Sequence, residues 1–503
     1  MRMQLVHPPV CLNRHALQAT RPAPPLGLAY LAAAVREAGH TVSVVDAFMA
    51  APEQERRRGR IAVLGLTAEQ IAARIDPQAQ AVGLSGMFSF AWPEMREILR
   101  AVRAVRPDVL LLGGGEHFTG MTAQCLREAP LDYVVRGEGE ATLVALLDAL
   151  EAGAAPHAVA GLAWRDVNGE YRESAPRPRQ REVDALPWPA WDLFDLAGYH
   201  ARGLVLGQAR GFTVPMLATR GCPYACTFCS NAMMWGRHWF ARRPADVVAE
   251  MRAWHLRYGA TNFPFHDLTA VLRRSWIRDF CDALEAAALP VTWQLPVGTR
   301  CEVVDAEVAR RLFETGCRSI TFAPETGSLA LRDAVQKRMT DTALLRAVRA
   351  SAEAGLNVSA FFVIGFPGDT ADSLRDSIDL ARRLADAGCH DIALTGFFPV
   401  PGTALFEELA AEGRVSYGDG DLAAPLHAME ARLREATNYC RALSARQLTY
   451  YKYAILASFY ARQYLRRPQR VATLAANVAR GHEAGRLEAF LLQRLRRIYP
   501  RPA

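Results

Sequence analysis

At 503 residues, 50% of them hydrophobic and 22% charged, the chain is long enough for two or three domains with full cores, and its composition excludes disorder. The formal charge of +7 is concentrated by arginines near the C-terminal end, so it does not describe a nucleic-acid-binding face. The amino terminus has no apolar run of signal-peptide length and no uncharged stretch is unbroken enough to span a bilayer, so a cytoplasmic protein without a transmembrane segment is expected.

In chain order, residues 4–7, 41–46, 81–85, 109–112 and 133–136 read as strands. Helical segments at 26–38, 93–105 and 140–152 separate them, the first closing at Gly39 and the last at Gly153. This alternation predicts an open parallel sheet with helices on both faces and ligands beyond the strand carboxyl ends. Those ends are polar and glycine-rich: Ser85-Gly86-Met87, Gly113-Gly114-Gly115-Glu116-His117 and Arg136-Gly137-Glu138-Gly139-Glu140. Backbone can approach a ligand there, although each glycine alone can equally make a tight turn.

Residues 153–205 read as an inter-domain linker, rich in proline and charge. Its aromatic stretch Trp188-Pro189-Ala190-Trp191-Asp192-Leu193-Phe194 is expected to pack on a neighbouring domain, because that much apolar area is rarely left wet. A second strand series follows at 214–219, 262–266, 292–295, 319–323, 358–364 and 392–397. Helices at 244–258, 306–315 and 370–387 lie between. Six such units suit a partly closed parallel barrel with its reactive face at the strand carboxyl ends. The expected architecture is therefore α/β throughout its first two parts: a Rossmann-like, flavodoxin-type domain over 1–152, the linker, a partial (β/α)6 TIM-like barrel over 206–405, and a helical region over 406–503.

Seven of the ten cysteines stand singly and read as core residues. The other three, Cys222, Cys226 and Cys229, form C-x3-C-x2-C directly after the first barrel strand. Three thiolates can hold a four-iron cluster and leave one iron open. A zinc site completed by His238 is the alternative, but no second C-x2-C pair follows to complete a ribbon or finger.

With Phe228 just before its third cysteine, this loop resembles that of the radical S-adenosylmethionine superfamily. The resemblance implies a [4Fe-4S] cluster on Cys222, Cys226 and Cys229 whose open iron chelates the methionine part of S-adenosylmethionine, giving a 5′-deoxyadenosyl radical. It also implies cofactor contacts along later strands. Phe228 lies in the loop itself. His266 and Asp267 follow the second strand, where the family often has an acidic pair, so His266 is a departure. Glu325 in Ala323-Pro324-Glu325-Thr326-Gly327-Ser328 ends the fourth strand, and Ile364 and Gly365 in Val363-Ile364-Gly365-Phe366-Pro367-Gly368 would lie against adenine. Read alone, Glu325 could be a helix N-terminal charge and the glycines simple turns.

An open α/β domain before such a barrel resembles the cobalamin-binding, methyltransferase-like (class B) subgroup over roughly residues 1 to 400. Pro9, Ser85, Gly86, Gly114, Gly115, Glu116, His117, Gly137 and Glu138 would then face a corrinoid. The D-x-H-x-x-G element that gives cobalt a histidine is absent, since Gly115 stands where its aspartate would be; His117 is expected at the corrinoid's edge or in solvent.

The resemblance implies methylation of an unactivated carbon of a small biosynthetic intermediate through methylcobalamin. A cobalamin-dependent oxidative cyclase or ring-rearranging enzyme is the alternative, and a corrinoid- or metal-binding regulatory protein the non-enzymatic one. A transfer-RNA methylthiotransferase would need three cysteines before the linker, where only Cys11 and Cys125 occur. The expected partners are a small-molecule substrate and an external electron donor of flavodoxin or ferredoxin type, with no nucleic acid, and the chain is expected to be a monomer. Tyr224, Trp235 and Trp239 are candidate substrate contacts or core. The C-terminal region, with Tyr450-Tyr451-Lys452-Tyr453, Arg466-Arg467 and Arg494-Leu495-Arg496-Arg497, is expected to cap the barrel mouth; a basic face for a membrane is the second reading.

Overall fold

The computed structural model of the chain describes residues 1–17 and 21–498. The amino-terminal sheet has seven strands, in the order Tyr171–Glu173, Leu162–Arg165, Tyr133–Val135, Leu110–Gly114, Ala81–Ser85, Arg2–His7 and Thr41–Asp46. The last five are parallel, as the βα alternation predicts. Successive residues serve opposite faces: Leu5 packs with the helices Leu26–Glu37 and Glu140–Glu151, while Val6 packs with Trp92–Val105. A sheet covered on both sides needs apolar side chains at nearly every strand position, which is why these strands read as continuous hydrophobic runs.

Two features depart from the expected outline. Residues 162–173, placed in the linker by their composition, instead form an antiparallel pair that extends the sheet. Tyr171–Glu173 is fully exposed, so it carries no apolar alternation. A separate antiparallel sheet of Val10–Asn13, Ile61–Leu64 and Glu55–Arg58 was also illegible, because Glu55–Arg58 is one acidic and three basic residues. The aromatic stretch does pack as expected: Trp191 is 1% exposed and joins a core shared by the two domains.

The barrel contains five parallel strands in sequence order, Asn262–Pro264, Thr292–Thr299, Cys317–Glu325, Asn357–Ile364 and Asp391–Gly396. The expected first strand pairs with them only through isolated bridges, Thr213 with Asn262 and Met216 with Phe265. It then turns into a short hairpin, Thr219–Gly221 against Trp239–Ala241. Ile320, Phe322, Val358, Ala360 and Phe362 face the outer helices, which leaves Ser319, Thr321, Ser359 and their alternates lining the lumen.

The C-terminal helices do not sit over the mouth. Ala445–Arg466 runs down the open edge of the barrel, from Leu448 beside Gly365 to Gln463, whose Nε2 donates to Cys389 O (2.9 Å) and His390 O (2.6 Å). It thereby covers an edge strand that would otherwise offer unpaired backbone. Residues 483–490 close the lumen floor. No described helix is long and apolar enough to cross a membrane. The side chains of Arg496 and Arg497 lie outside the described residues.

Candidate active site

The cysteine loop is fixed by main-chain bonds on both flanks. Thr227 N donates to Val335 O and Leu405 N donates to Thr227 O, each at 3.1 Å. Asn231 Nδ2 donates to Cys222 O at 2.8 Å and Gly236 O at 3.2 Å, tying the first cysteine to the end of the loop. Phe228 meets Phe366 edge-on, ring centroids 5.4 Å apart, and so anchors the loop to the apolar cluster around Phe366, Phe397 and Phe406. Gly221 has φ +83°, and a Cβ there would lie 2.2 Å from His238 O. Gly221→Ala should therefore displace the hairpin at a cost of about 1–3 kcal/mol, read as reduced iron retention after anaerobic reconstitution.

All ten cysteines are free; the seven single ones are buried, and the three of the loop keep partial exposure. Burial raises the thiols of Cys222, Cys226 and Cys229, the last to about 11, while the Lys337 ammonium pulls each of them down. Their charges also act on one another, as groups lining one space do. Among the described residues no three His, Cys, Asp or Glu side chains are gathered so that they could hold a single metal ion. Zinc needs its sulfur donors about 2.3 Å from one point. The three thiols of the loop are free, partly exposed and near enough to feel one another's charge.

The strand ends beside this loop hold several expected residues, in altered roles. Asp267 accepts from Ala218 N (3.1 Å), Thr219 N and Thr219 Oγ1 (2.6 Å), which ties its carboxylate to the strand that leads into the cysteines. His266 next to it has a buried Nε2 without a partner among the described residues, and burial lowers its pKa to about 4. A neutral ring nitrogen with no protein partner is what a bound polar group would satisfy. Glu325 ends its strand at φ +66°, an uncommon conformation for a side-chain-bearing residue and typical of functional sites. Its Oε1 accepts from Lys337 Nζ at 2.8 Å. Burial works against the charge of Lys337, and Glu325 more than offsets it, so the pKa of Lys337 is raised.

Lys337 itself lies between two further left-handed residues, Gln336 (φ +56°) and Arg338 (φ +44°). Arg300 holds that turn by donating to Lys337 O at 2.7 Å and Arg338 O at 2.8 Å. It also stands 3.9 Å over the Tyr224 ring. Ile364 and Gly365 sit at the expected strand end, but the backbone N–H groups of Gly365 and Phe366 donate to Asp369 Oδ2 (2.7 and 3.1 Å). Those two amide donors are satisfied within the chain.

Burial raises Asp369 to about 6, above an ordinary 3.8, against its bonds from Ser373, Gly365 and Phe366. The folded chain then holds this proton more tightly than the unfolded one, so this group's contribution to stability is greatest below about pH 4 and is lost as pH rises through about 6. Asp369→Asn should flatten that part of the pH dependence, measured as a smaller drop in urea midpoint between about pH 4 and 7.

The amino-terminal loops reach the same place. Glu116 lies beside Ser230, one residue beyond Cys229; burial raises its pKa and Ser230 works against that rise. Gly120 and Gly402 close on Met233, where a Cβ at either would lie within 2.8 Å of its sulfur. Glu138 and Glu140 are paired with arginines. Glu138 accepts from Arg179 Nε (2.6 Å) and Arg220 Nη1 (3.2 Å), and Glu140 from Arg220 Nη2 (2.6 Å). The exposures of Arg220, Glu138 and Glu140 are only 3%, 9% and 10%. Arg220 stands two residues before Cys222, so the loop after the fifth strand locks the cysteine strand across the domain boundary. Trp235 lies beneath both arginines at 5.1 and 5.8 Å, and Trp239 is buried and donates to Thr269 O at 2.9 Å; neither is free for substrate.

His117 also differs from expectation. It is 2% exposed, with Nδ1 3.0 Å from Ser89 Oγ and Nε2 3.4 Å from Cys125 Sγ, because the short helix Glu116–Gly120 turns it inward onto Trp92. Burial lowers its pKa to about 3. Gly86, Gly113 and Gly115 are likewise explained internally: a Cβ on the first two would strike Phe118 at 2.6 and 2.5 Å, and on the third Gly86 O at 2.7 Å. A Cβ at Gly114 or Gly137 would make only ordinary contacts, with Val135 at 3.7 Å and Met234 O at 3.9 Å; Ser85 is partly exposed, and Pro9 is buried. Beside these loops Met87 and Phe88 are 62% and 53% exposed, with Phe88 stacked on Phe90 at 5.0 Å. Exposed apolar side chains at the ligand edge of the sheet fit a corrinoid held without a histidine from this loop.

An open doubly wound sheet locked to a partial barrel that carries three unpaired thiols at its mouth defines a class. Residues 16–147 match the B12 binding domain model, and residues 216–381 match that of the Radical SAM superfamily. The chain is 31% identical over 386 residues to an uncharacterized methyltransferase of Pyrococcus horikoshii, covering 76% of this chain and 78% of the relative. It is 27% identical to the cytidylyl-2-hydroxyethylphosphonate methyltransferase of Streptomyces wedmorensis over 82% of each chain. An anaerobic magnesium-protoporphyrin IX monomethyl ester cyclase of Cereibacter sphaeroides is 29% identical over 81% of this chain and 64% of its own.

Among solved structures, the radical S-adenosylmethionine methyltransferase TsrM of Kitasatospora setae, with cobalamin and a [4Fe-4S] cluster bound, aligns with a TM-score of 0.63 at 20% identity, over 83% of this chain and 79% of that one. The protein belongs to the cobalamin-binding radical S-adenosylmethionine family. It is an enzyme of that class, whose cofactors are a [4Fe-4S] cluster, S-adenosylmethionine and cobalamin.

Proposed function

We propose that the enzyme methylates an unactivated carbon of a small biosynthetic intermediate. The observation that carries this reading is the meeting of Glu116, Gly120, Glu138 and Glu140 with the loop of Cys222, Cys226 and Cys229, which brings the corrinoid edge of the sheet against the barrel mouth. Cys222, Cys226 and Cys229 would hold the cluster, with residues 1–152 carrying the corrinoid and 206–405 the radical chemistry. When bound, the cluster and S-adenosylmethionine supply a hydrogen-abstracting radical, and cobalamin supplies the methyl group.

The chain's own residues position and shield. Lys337 places a positive charge beside the three thiols, Glu325 balances it, and Arg300 fixes the turn between them. His266 offers its neutral Nε2 at the neighbouring strand end, while Asp267 holds the cysteine strand in place. Met87 and Phe88 present apolar surface to the corrinoid. The packed helix Ala445–Arg466 excludes water from the open side of the barrel. The electron would come from an external flavodoxin- or ferredoxin-type donor, and the chain would act as a cytoplasmic monomer on a small molecule.

Relatives named as cyclases favour a second reading, oxidative ring formation without methyl transfer. Product analysis of the anaerobically reconstituted enzyme separates the two. Methylation requires 5′-deoxyadenosine and S-adenosylhomocysteine in equal amounts, since one S-adenosylmethionine is the radical source and another restores the methyl group. Formation of 5′-deoxyadenosine with no S-adenosylhomocysteine would favour the cyclase.

A further inference from the structure

The lumen of the barrel is not filled at its floor. A cavity of about 250 Å³ lies between the amino-terminal halves of the strands and the C-terminal helices, lined among others by Thr321, Ser359, Leu394, Leu456, Arg486 and Phe490. It lies at the starting halves of the strands, opposite the end that bears Glu325 and Gly365. For scale, a cavity of about 150 Å³ accepts benzene.

Arg486 is the charged group on this space whose guanidinium has no carboxylate in direct contact, although the Asp391 charge acts on it from further off. Its Nη2 donates to Pro296 O at 3.1 Å, and its guanidinium stands 4.6 Å from the Phe361 ring centroid. Among the described residues no carboxylate lies within 4 Å of it. The other ionic groups nearby are matched to one another or to backbone. Arg21 and Glu483 form a two-pronged pair at 2.6 and 2.7 Å, and Asp391 accepts from the backbone N–H of Arg486 at 3.0 Å. Arg486 keeps partial exposure, and desolvation lowers its pKa below that of an ordinary arginine, against the opposing pull of Asp391. Burying a cation without a partner is expensive, and a guanidinium with one bond to a carbonyl keeps enough donors for a two-pronged contact with a carboxylate.

Two hydroxyls stand on the same wall. Thr321 and Ser359 are 3% and 5% exposed, and neither Oγ has a hydrogen-bond partner among the described residues. Opposite them Leu394, Leu456 and Phe490 offer an apolar surface. One positive charge, two hydroxyls and an apolar wall match a singly charged carboxylate on an apolar body; a phosphate dianion would carry one charge more than Arg486 supplies.

We propose that this floor cavity anchors the substrate through a carboxylate held by Arg486, Thr321 and Ser359, with its apolar body directed up the lumen toward the cysteine loop. This deepens the methylation reading and rests on it. The test is calorimetric binding to the cluster-loaded full chain under anaerobic conditions, using 4-phenylbutyrate, 4-phenylbutan-1-ol and phenyl phosphate. The acid should bind at least about tenfold more tightly than the alcohol, the order expected for a hydrogen-bonded charge. Arg486→Gln should lose at least about tenfold for the acid and leave the alcohol unchanged, and Arg486→Lys should recover part of the loss.

Should Arg486→Gln fail to fold, the acid-to-alcohol ratio in the unmodified protein and the Arg486→Lys variant decide. Equal binding of acid and alcohol, no binding of the acid at all, or unaltered acid binding by Arg486→Gln would overturn the proposal, and tighter binding of phenyl phosphate would overturn its carboxylate class. Loss of acid selectivity with S-adenosylmethionine cleavage intact defeats this inference alone. Absence of that cleavage with acid binding intact defeats the methylation reading instead.

Discussion

Cys226→Ala leaves a folded chain that retains little iron after anaerobic reconstitution and makes no 5′-deoxyadenosine under strong reductant. The reason is ligand count: three thiols are the cluster's only candidate donors in the loop, and none of the other seven cysteines is exposed enough to replace one. Fold retention is expected because the loop hangs on backbone bonds at Thr227 and Leu405 and on the Phe228–Phe366 contact. Cys226 Sγ itself makes only a 3.7 Å contact to Gln336 O. Iron and sulfide analysis with quantification of 5′-deoxyadenosine reads the effect, and Cys301→Ala, at a buried core thiol, serves as the comparison that should keep its cluster.

Arg220→Leu should be the most damaging substitution away from the cysteines. It would leave the buried Glu140 without its counterion, while Glu138 keeps Arg179 at 2.6 Å, a loss of about 3–5 kcal/mol for a broken buried pair. Burial works against the charge of Glu140, and Arg220 more than offsets it, so its pKa is lowered; that margin disappears with the arginine. The domain junction should then open to protease near residues 179–220, and the urea midpoint should fall. Combining Arg220→Leu with Glu140→Gln should restore much of the midpoint, because no unpaired charge is then left buried and Glu138 keeps Arg179. A double variant as unstable as Arg220→Leu would show that packing over Tyr30, and not charge, is what Arg220 contributes.

Much of this architecture is legible in the sequence because it is periodic. Strands buried on both faces appear as unbroken apolar runs, and helices such as Pro244–Tyr258 are bounded by a proline and a left-handed Gly259. What was not legible lacked such a pattern. The edge strand Tyr171–Glu173 is exposed throughout, and Glu55–Arg58 carries only charge.

The site follows the same division. The three cysteines could be read from spacing, since cluster ligands sit close together in the chain. Lys337, Arg300 and Asp369 could not, because their roles depend on turns that bring them beside residues 12 to more than 70 positions away or onto backbone N–H groups. Sequence reading also gave ligand roles to Asp267, Glu138 and His117, each of which is occupied within the protein. A carboxylate or imidazole at a strand end looks the same in sequence whether it meets a cofactor or a neighbouring strand; only the partner distinguishes them. Arg220, two residues before the first cysteine of the loop, carries no sign of its pairing because Glu138 and Glu140 lie some eighty residues upstream.

The most direct measurement is electron paramagnetic resonance of the reconstituted, dithionite-reduced enzyme with and without S-adenosylmethionine. The account predicts about four irons and four sulfides per chain and a reduced-cluster signal whose g values move when S-adenosylmethionine is added, as an open iron at the Cys222–Cys226–Cys229 site requires. A chain that instead takes up one zinc, or a cluster signal that S-adenosylmethionine leaves unchanged, would contradict it.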